Sequence, residues 1–279
     1  MTSETASPAA PARPAGAAAD DEAAGGLVVR RVETLAEYHA CVAIERETWG
    51  ADFSECVPAT ILMVAQKLGG VVAGAFAADG TMLGFVFGMA GVIDGRPAHW
   101  SDMLAVRPGA RGARVGERLK HYQRELARAA GAEAMYWTFD PLVARNAHLN
   151  LTRLGARVVE YVPNMYGDGT SSPLHGGLPT DRLVARWDLA RDGGAGGVPA
   201  AASPDASVVR IAVPHDFHDL PTEARAHWRA TVRETFLAHL RRGYQVTAFR
   251  RADGDALPYY ELQRPAPPPR APSPHPPSP

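Results

Sequence analysis

Apolar and polar positions follow two different periods along this chain, and the switches between them predict its elements. Leu27–Val32 is a short strand-like run; then Leu35, Tyr38, Val42, Glu45 and Trp49 fall near one face of a helix over 35–49. Thr34 before it and Glu37 three residues on form a capping-box pattern, and Gly50 suits its end. Pro58 opens a second helix that runs to Lys67 and stops at Gly69–Gly70. Three strands follow at Val71–Ala77, Leu83–Gly91 and His99–Val106. Asp79–Gly80 and Asp94–Gly95 stand between them, and such dipeptides suit tight hairpin turns, so the three strands read as an antiparallel meander.

After Pro108 the period changes. Val115, Leu119, Tyr122, Leu126 and Ala129 step by four, three, four and three, an amphipathic helix ended by Gly131. Ala134–Phe139 is a strand, Arg145–Leu154 a helix ended by Gly155, and Arg157–Tyr161 a further strand. A loop rich in Gly, Ser, Pro and Asn spans Pro163–Pro179, and Leu183–Leu189 returns as a strand. Beyond a Gly/Ala/Pro-rich linker come a strand at Val208–Val213, a helix at Pro221–Arg242, and strands at Tyr244–Arg250 and Tyr259–Leu262. This last βαββ piece of about 60 residues is marginal alone and is expected to pack on what precedes it. The domain reading is a tail over 1–26, a main domain over 27–189, a linker over 190–207, the βαββ unit over 208–264 and a tail over 265–279.

Composition trims this picture. Residues 1–26 hold ten Ala and three Pro, and residues 265–279 hold nine Pro, so both stretches read as disordered tails that bury nothing. The remaining 238 residues suffice for a sizeable core. The longest nearly unbroken apolar run, Leu83–Ile93, is eleven residues with three Gly, short of the ~20 a spanning helix needs, so no membrane is expected. The N-terminus lacks a hydrophobic signal core, and two cysteines, Cys41 and Cys56, form no framework, which together point to the cytoplasm. A net charge of −1 gives no reason to expect nucleic acid.

Charge is nonetheless concentrated. Between Arg107 and Arg128 stand seven Lys/Arg and two Glu, a local +5. A strand runs into the loop Arg107-Pro-Gly-Ala-Arg-Gly-Ala-Arg-Val-Gly116 and then into a helix, an arrangement that aims backbone N–H groups and the helix dipole at a phosphate. A solvated basic helix face is the competing reading of the charges alone. Neither GxxxxGK[ST] nor GxGxxG is present, which sets aside P-loop and dinucleotide sites.

The element order and Arg111-Gly112-Ala113-Arg114-Val115-Gly116 resemble the GNAT acyltransferase superfamily, whose loop reads Arg or Gln, two residues, Gly, one residue, then Gly or Ala. Trp137–Leu142, Arg145–Asn150 and Leu154-Gly155-Ala156 continue the likeness, and His99-Trp-Ser, Gly177–Arg182, Trp228–Arg233 and Gly243-Tyr244 resemble one bacterial subgroup of it. The resemblance implies an α/β (α+β) fold with a mixed, mainly antiparallel sheet flanked by helices, plus the small βαββ unit. It implies transfer of an acyl group from acetyl-CoA or succinyl-CoA, with no metal, to the amine of a small molecule such as an amino acid. A homodimer stays open.

Two positions depart from the pattern. The loop's Gly is Arg114, which costs roughly 1–2 kcal/mol if a left-handed backbone is required. The Tyr that in many members protonates the leaving thiolate is Leu151.

The implied cofactor residues are Leu104, Ala105 and Val106 on the strand, Arg111, Gly112, Arg114, Val115 and Gly116 in the loop, and Asn146, whose simpler role is a helix cap. A backbone N–H near Leu104 would stabilise the oxyanion. The amine needs a base; Asp102, one strand period from Leu104 and so on its face, is the first choice, with His99, Asp140 and His148 as others. Tyr161 or Tyr166 replaces the missing acid, Tyr166 being preferred. Asp140 or Glu45 would hold an ammonium, and Arg145 or Arg182 a carboxylate.

Other readings weigh less. His175-Gly-Gly177 suggests an oxyanion loop, yet no GxSxG elbow exists, and His215-Asp-Phe-His218 lacks a third metal ligand. A binding module of the same fold without turnover is the standing alternative.

Overall fold

The computed structural model describes residues 26–167, 177–189, 208–251, 254 and 256–265. The linker, both tails and most of the loop expected over 163–179, His175 included, lie outside them.

Seven strands form the main sheet: β1 (Val28–Arg31), β2 (Val71–Phe76), β3 (Met82–Ile93), β4 (Arg96–Val106), β5 (Ala134–Phe139), β6 (Arg157–Val162) and β7 (Arg182–Asp188). Their order is β1-β2-β3-β4-β5-β7-β6, antiparallel throughout except for β4 beside β5. The expected meander is present. Ile93 faces Arg96 across Asp94 and Gly95, whose φ values of 51° and 74° are the paired left-handed residues of a two-residue hairpin turn.

Two helices, α1 (Leu35–Trp49) and α2 (Ala59–Lys67), cover one side of the sheet. Thr34 and Glu37 close the capping box at the start of α1. The buried stripe of α1 is Tyr38, Cys41, Ile44 and Glu45, rotated from the face the spacing suggested, and Leu35 is 57% exposed. On the other side lies α3 (Val115–Ala129), whose Val115 and Leu119 pack on Val71, Ala73 and Val86.

The helix expected over 145–154 is split. A short α4 (Ala144–Ala147) widens into a π turn at His148–Arg153. The wider turn carries the buried Asn150, whose Oδ1 accepts the Trp137 indole N–H at 3.1 Å.

The C-terminal unit consists of α5 (Thr222–Arg241) on a three-stranded antiparallel sheet of β8 (Val209–Ala212), β10 (Tyr259–Gln263) and β9 (Gln245–Arg250). Its Ile211, Phe236, Phe249 and Tyr260 belong to the same apolar cluster as Met135, Trp137, Phe139 and Leu183 of the main sheet. The unit therefore has no separate core, as its size led one to expect. Buried ion pairs reinforce the joint: Arg229 of α5 makes two bonds of 2.9 and 2.6 Å to Asp140, and Arg233 donates to Asp181. Among the described residues no helix is long and apolar enough to cross a membrane.

Candidate active site

The parallel ladder between β4 and β5 is short. It pairs Ala98 with Ala134, His99 with Met135 and Trp100 with Tyr136, and then ends. From Ser101 and Trp137 onward the two strands part, leaving a V-shaped slot with the β4 edge over 101–106 unpaired towards β5. The wide end of this slot leads to the loop at 107–116.

That loop is open. Residues 111–114 are exposed, and a side chain placed at Gly112 would meet nothing within 4 Å. Gly112 has φ 93° and Arg114 φ 57°, so the chain turns left-handed twice before α3 begins. The first intrahelical bond runs from Arg118 N–H to Arg114 C=O at 3.0 Å. Among the described residues the amides of 112–117 meet no protein acceptor. Successive free N–H groups at a helix start form an anion cradle. Arg111 is exposed beside it. Arg114 is committed elsewhere: it pairs with Glu117 at 3.0 and 2.8 Å, and Glu117 also takes Arg153 at 2.8 Å. Arg114 therefore pays the left-handed cost without offering a free guanidinium.

On the α1 side of β4 stand two carboxyl groups. The register jumps from Phe87↔Met103 to Gly88↔Ser101, so Asp102 is a bulged residue. The bulge breaks the two-residue alternation. Ser101 reaches Gln123 and Lys120 of α3, and Leu104 packs with the α3 cluster, whereas Asp102 lies within electrostatic range of Glu45 on α1. The expectation that Asp102 shares the face of Leu104 is thus corrected. Asp102 touches solvent, yet the protein crowded around it pushes its carboxyl above the usual range, partly offset by a bond from the Trp100 indole.

Glu45 is fully buried. Its Oε2 accepts Val57 N–H at 2.7 Å, and its Oε1 meets no partner among the described residues. Burial pushes its carboxyl up to about 7, with the Asp102 charge adding to the shift.

Tyr166 is half exposed and its hydroxyl lies 3.0 Å from Thr138 Oγ1, on the part of β5 that has left β4. Its ring faces the Arg182 guanidinium at 5.0 Å. On the same side as Asp102, a groove of about 650 Å³ is lined by Trp100, Tyr136, Val159, Met165, Val184 and Arg186. Arg186 donates to the Tyr136 hydroxyl at 3.0 Å.

Several expected residues fall outside this centre. Asp140 is sealed in its ion pair with Arg229: burial opposes its ionisation, but the two guanidinium bonds hold the carboxyl below the usual range, so it is not available to a substrate ammonium. Arg182 is buried 3.7 Å from Asp140 and donates to the Asp181 carbonyl. Tyr161 bonds Asp181 at 2.7 Å inside the core. Arg145 is exposed near His218 of the C-terminal unit. His148 stands among Arg153, Arg251 and Glu117, away from Asp102, and its buried Nδ1 meets no partner among the described residues. Asn146, on α4, keeps a partly open side chain and lies one turn before that π segment. Arg186 and Thr138 escaped the sequence reading; the period of β7 puts Arg186 on the groove face with Val184, a signal weaker than any motif.

One parallel pair in an otherwise antiparallel seven-stranded sheet, splayed before a glycine loop that opens a helix, decides the architecture. This is the arrangement that the resemblance to the GNAT acyltransferases implies.

No family profile and no curated protein matches the sequence. Among solved structures, the chain is similar to a Salmonella typhimurium protein assigned as an acetyltransferase and solved with its cofactor acetyl-CoA: 19% identity over 62% of this chain and 98% of that one, TM-score 0.48. A ribosomal-protein-alanine N-acetyltransferase from Brucella melitensis is 18% identical over 58% of this chain and 99% of its own, TM-score 0.48. An aminoglycoside 6'-acetyltransferase type Ii is 15% identical over 60% and 99%, TM-score 0.47.

Proposed function

We propose that this protein is an acyl-CoA-dependent N-acyltransferase that moves an acetyl or succinyl group to the amine of a small molecule, by direct attack on the thioester. The observation that carries this reading is the conjunction of an open amide cradle, a strand slot leading from it, and a carboxyl pair of raised pKa beside the slot.

In this reading the amides of 112–117 and Arg111 hold the pyrophosphate, and the free β4 edge at Leu104–Val106 pairs with the pantetheine arm. The acceptor occupies the groove, where Arg186 takes over the carboxylate-binding part first given to Arg145 or Arg182. Asp102 and Glu45 receive the proton of the ammonium, which frees the lone pair for attack. A carboxyl with a pKa of about 7 suits this task, being half ionised near neutrality. The Leu104 N–H stabilises the oxyanion, an effect of about 3 kcal/mol in comparable sites. Tyr166 then gives its proton to the departing thiolate as the carbon–sulfur bond breaks, and its phenolate oxygen recovers, through water, the second proton that the attacking nitrogen loses as the amide forms.

Acetyl-CoA titrated calorimetrically into the protein should bind, and Arg111→Ala should weaken binding by roughly tenfold, the worth of one charge-assisted bond. Amines should release thiol. Absence of binding at millimolar thioester would reject the assignment, and binding without thiol release for any amine would leave a non-catalytic acyl-CoA-binding module.

A further inference from the structure

Lys120 is the least explained residue of the molecule. It lies in the middle of α3, is 2% exposed, and its Nζ donates to Ser101 Oγ at 2.7 Å and stands 4.1 Å over the Trp137 ring. Ser101 and Trp137 are the first residues beyond the last β4–β5 pair, so the ammonium sits at the closed end of the slot, across the two strands. What faces it is neutral or basic. His99 and Ser101 come from β4, Gln123 from α3 and Trp137 from β5, and Gln123 bonds both Ser101 and His99. Among the described residues Lys120 has no salt bridge to a carboxylate, and burial alone accounts for the drop of its pKa to about 7. One of three N–H groups has a hydrogen-bond acceptor. A buried ammonium without a counter-ion is costly, so a fold that keeps one has a use for it.

The slot gives that use a direction. A ligand gripped at the 112–117 amides enters at the C-terminal end of β4, and its far end points back towards Ser101. The edge it runs along is unpaired. Whatever terminates such a ligand approaches Ser101, the residue to which Nζ donates.

We propose that Lys120, with Ser101, is the recognition site for an acyl donor whose acyl group ends in its own carboxylate. This deepens the proposed function and rests on it. An acetyl group leaves the ammonium uncompensated, whereas a dicarboxylic half-thioester supplies the missing counter-ion and a second acceptor beside Ser101 Oγ. It also restores full protonation of the amine, because a carboxylate in contact favours the charged form. Binding of the right donor at a pH above the free amine's pKa must then take up a proton.

The experiment is calorimetric titration of the full chain with succinyl-CoA and with acetyl-CoA at pH 8, in two buffers of different ionisation enthalpy. Succinyl-CoA should bind about tenfold or more tighter, with uptake of close to one proton, and acetyl-CoA should bind with none. Lys120→Met, which keeps the volume and removes the charge, should abolish both the difference in affinity and the proton uptake. Equal affinities and equal proton counts in the wild-type protein would overturn the proposal, as would a Lys120→Met protein that keeps the preference. The wild-type comparison suffices should that variant fail to fold. If neither thioester binds, it is the acyl-CoA reading itself that has failed; if acetyl-CoA binds and succinyl-CoA does not, only the role of Lys120 has.

Discussion

Glu45 sits where burial opposes ionisation: one oxygen has no partner among the described residues and Asp102 adds a like charge, and together these outweigh the Val57 N–H bond and the nearby Arg46 charge. The folded chain therefore holds the Glu45 proton to about pH 7, whereas an ordinary Glu releases it near 4.5. Between those values the folded state binds more protons than the unfolded one, so this residue makes stability fall as pH rises from 4.5 to 7. His99 works in the opposite sense, since burial beside Lys120 lowers it from 6.5 to about 4. The difference between wild type and Glu45→Gln isolates the first effect: Glu45→Gln should be the more stable protein at pH 8 and lose that advantage towards pH 4, by thermal melting. The rate limb that rises through about pH 7 should vanish in the same variant, with kcat/KM down by 10²- to 10⁴-fold. A limb that persists unchanged would move the base elsewhere. At this scale the sequence was only partly legible. Asp102 was singled out by its place in the strand, but Glu45 stood out only as a holder of an ammonium and not as a base, because that role comes from the burial that packing imposes. Asp140 misled for the same reason: an acidic residue after a strand carries no sign that Arg229, 89 positions on, will claim it.

At the scale of elements, two irregularities shape the site. The bulge at Asp102 redirects one side chain and leaves the rest of β4 in register, and the π turn after α4 brings Asn150 inward to Trp137. Neither is written in local propensity. Alternation and helical spacing found the strands and helices, and Asp94–Gly95 marked its hairpin, because each depends on neighbours in sequence; a bulge depends on a partner strand. The joint between α5 and the main sheet is equally non-local. It is also steep in energy, because Asp140 is buried and Arg229 is its bidentate partner. Arg229→Ala should destabilise the protein by about 3–5 kcal/mol, read as a lower denaturant midpoint, since it strands a buried carboxylate. A loss below about 1 kcal/mol would mean that Arg182, 3.7 Å from the same carboxyl, carries the compensation alone.

Across the whole molecule, the architecture was legible and the chemistry less so. The mixed, mainly antiparallel sheet flanked by helices and the glycine loop agree with what the resemblance implies. The C-terminal unit shares the main core and buttresses β5 and β7 from the α3 side, opposite the groove, so it stiffens the slot without roofing the proposed acceptor site. Everything then depends on the loop before α3 and the parting strands being one binding surface. Backbone amide chemical shifts recorded while coenzyme A is added test this directly. The largest changes should fall on Gly112–Glu117 and on Ser101–Val106, and both sets should saturate at one concentration. No change at millimolar coenzyme A, or changes gathered in the groove around Tyr136 and Arg186 with the loop unmoved, would contradict the account.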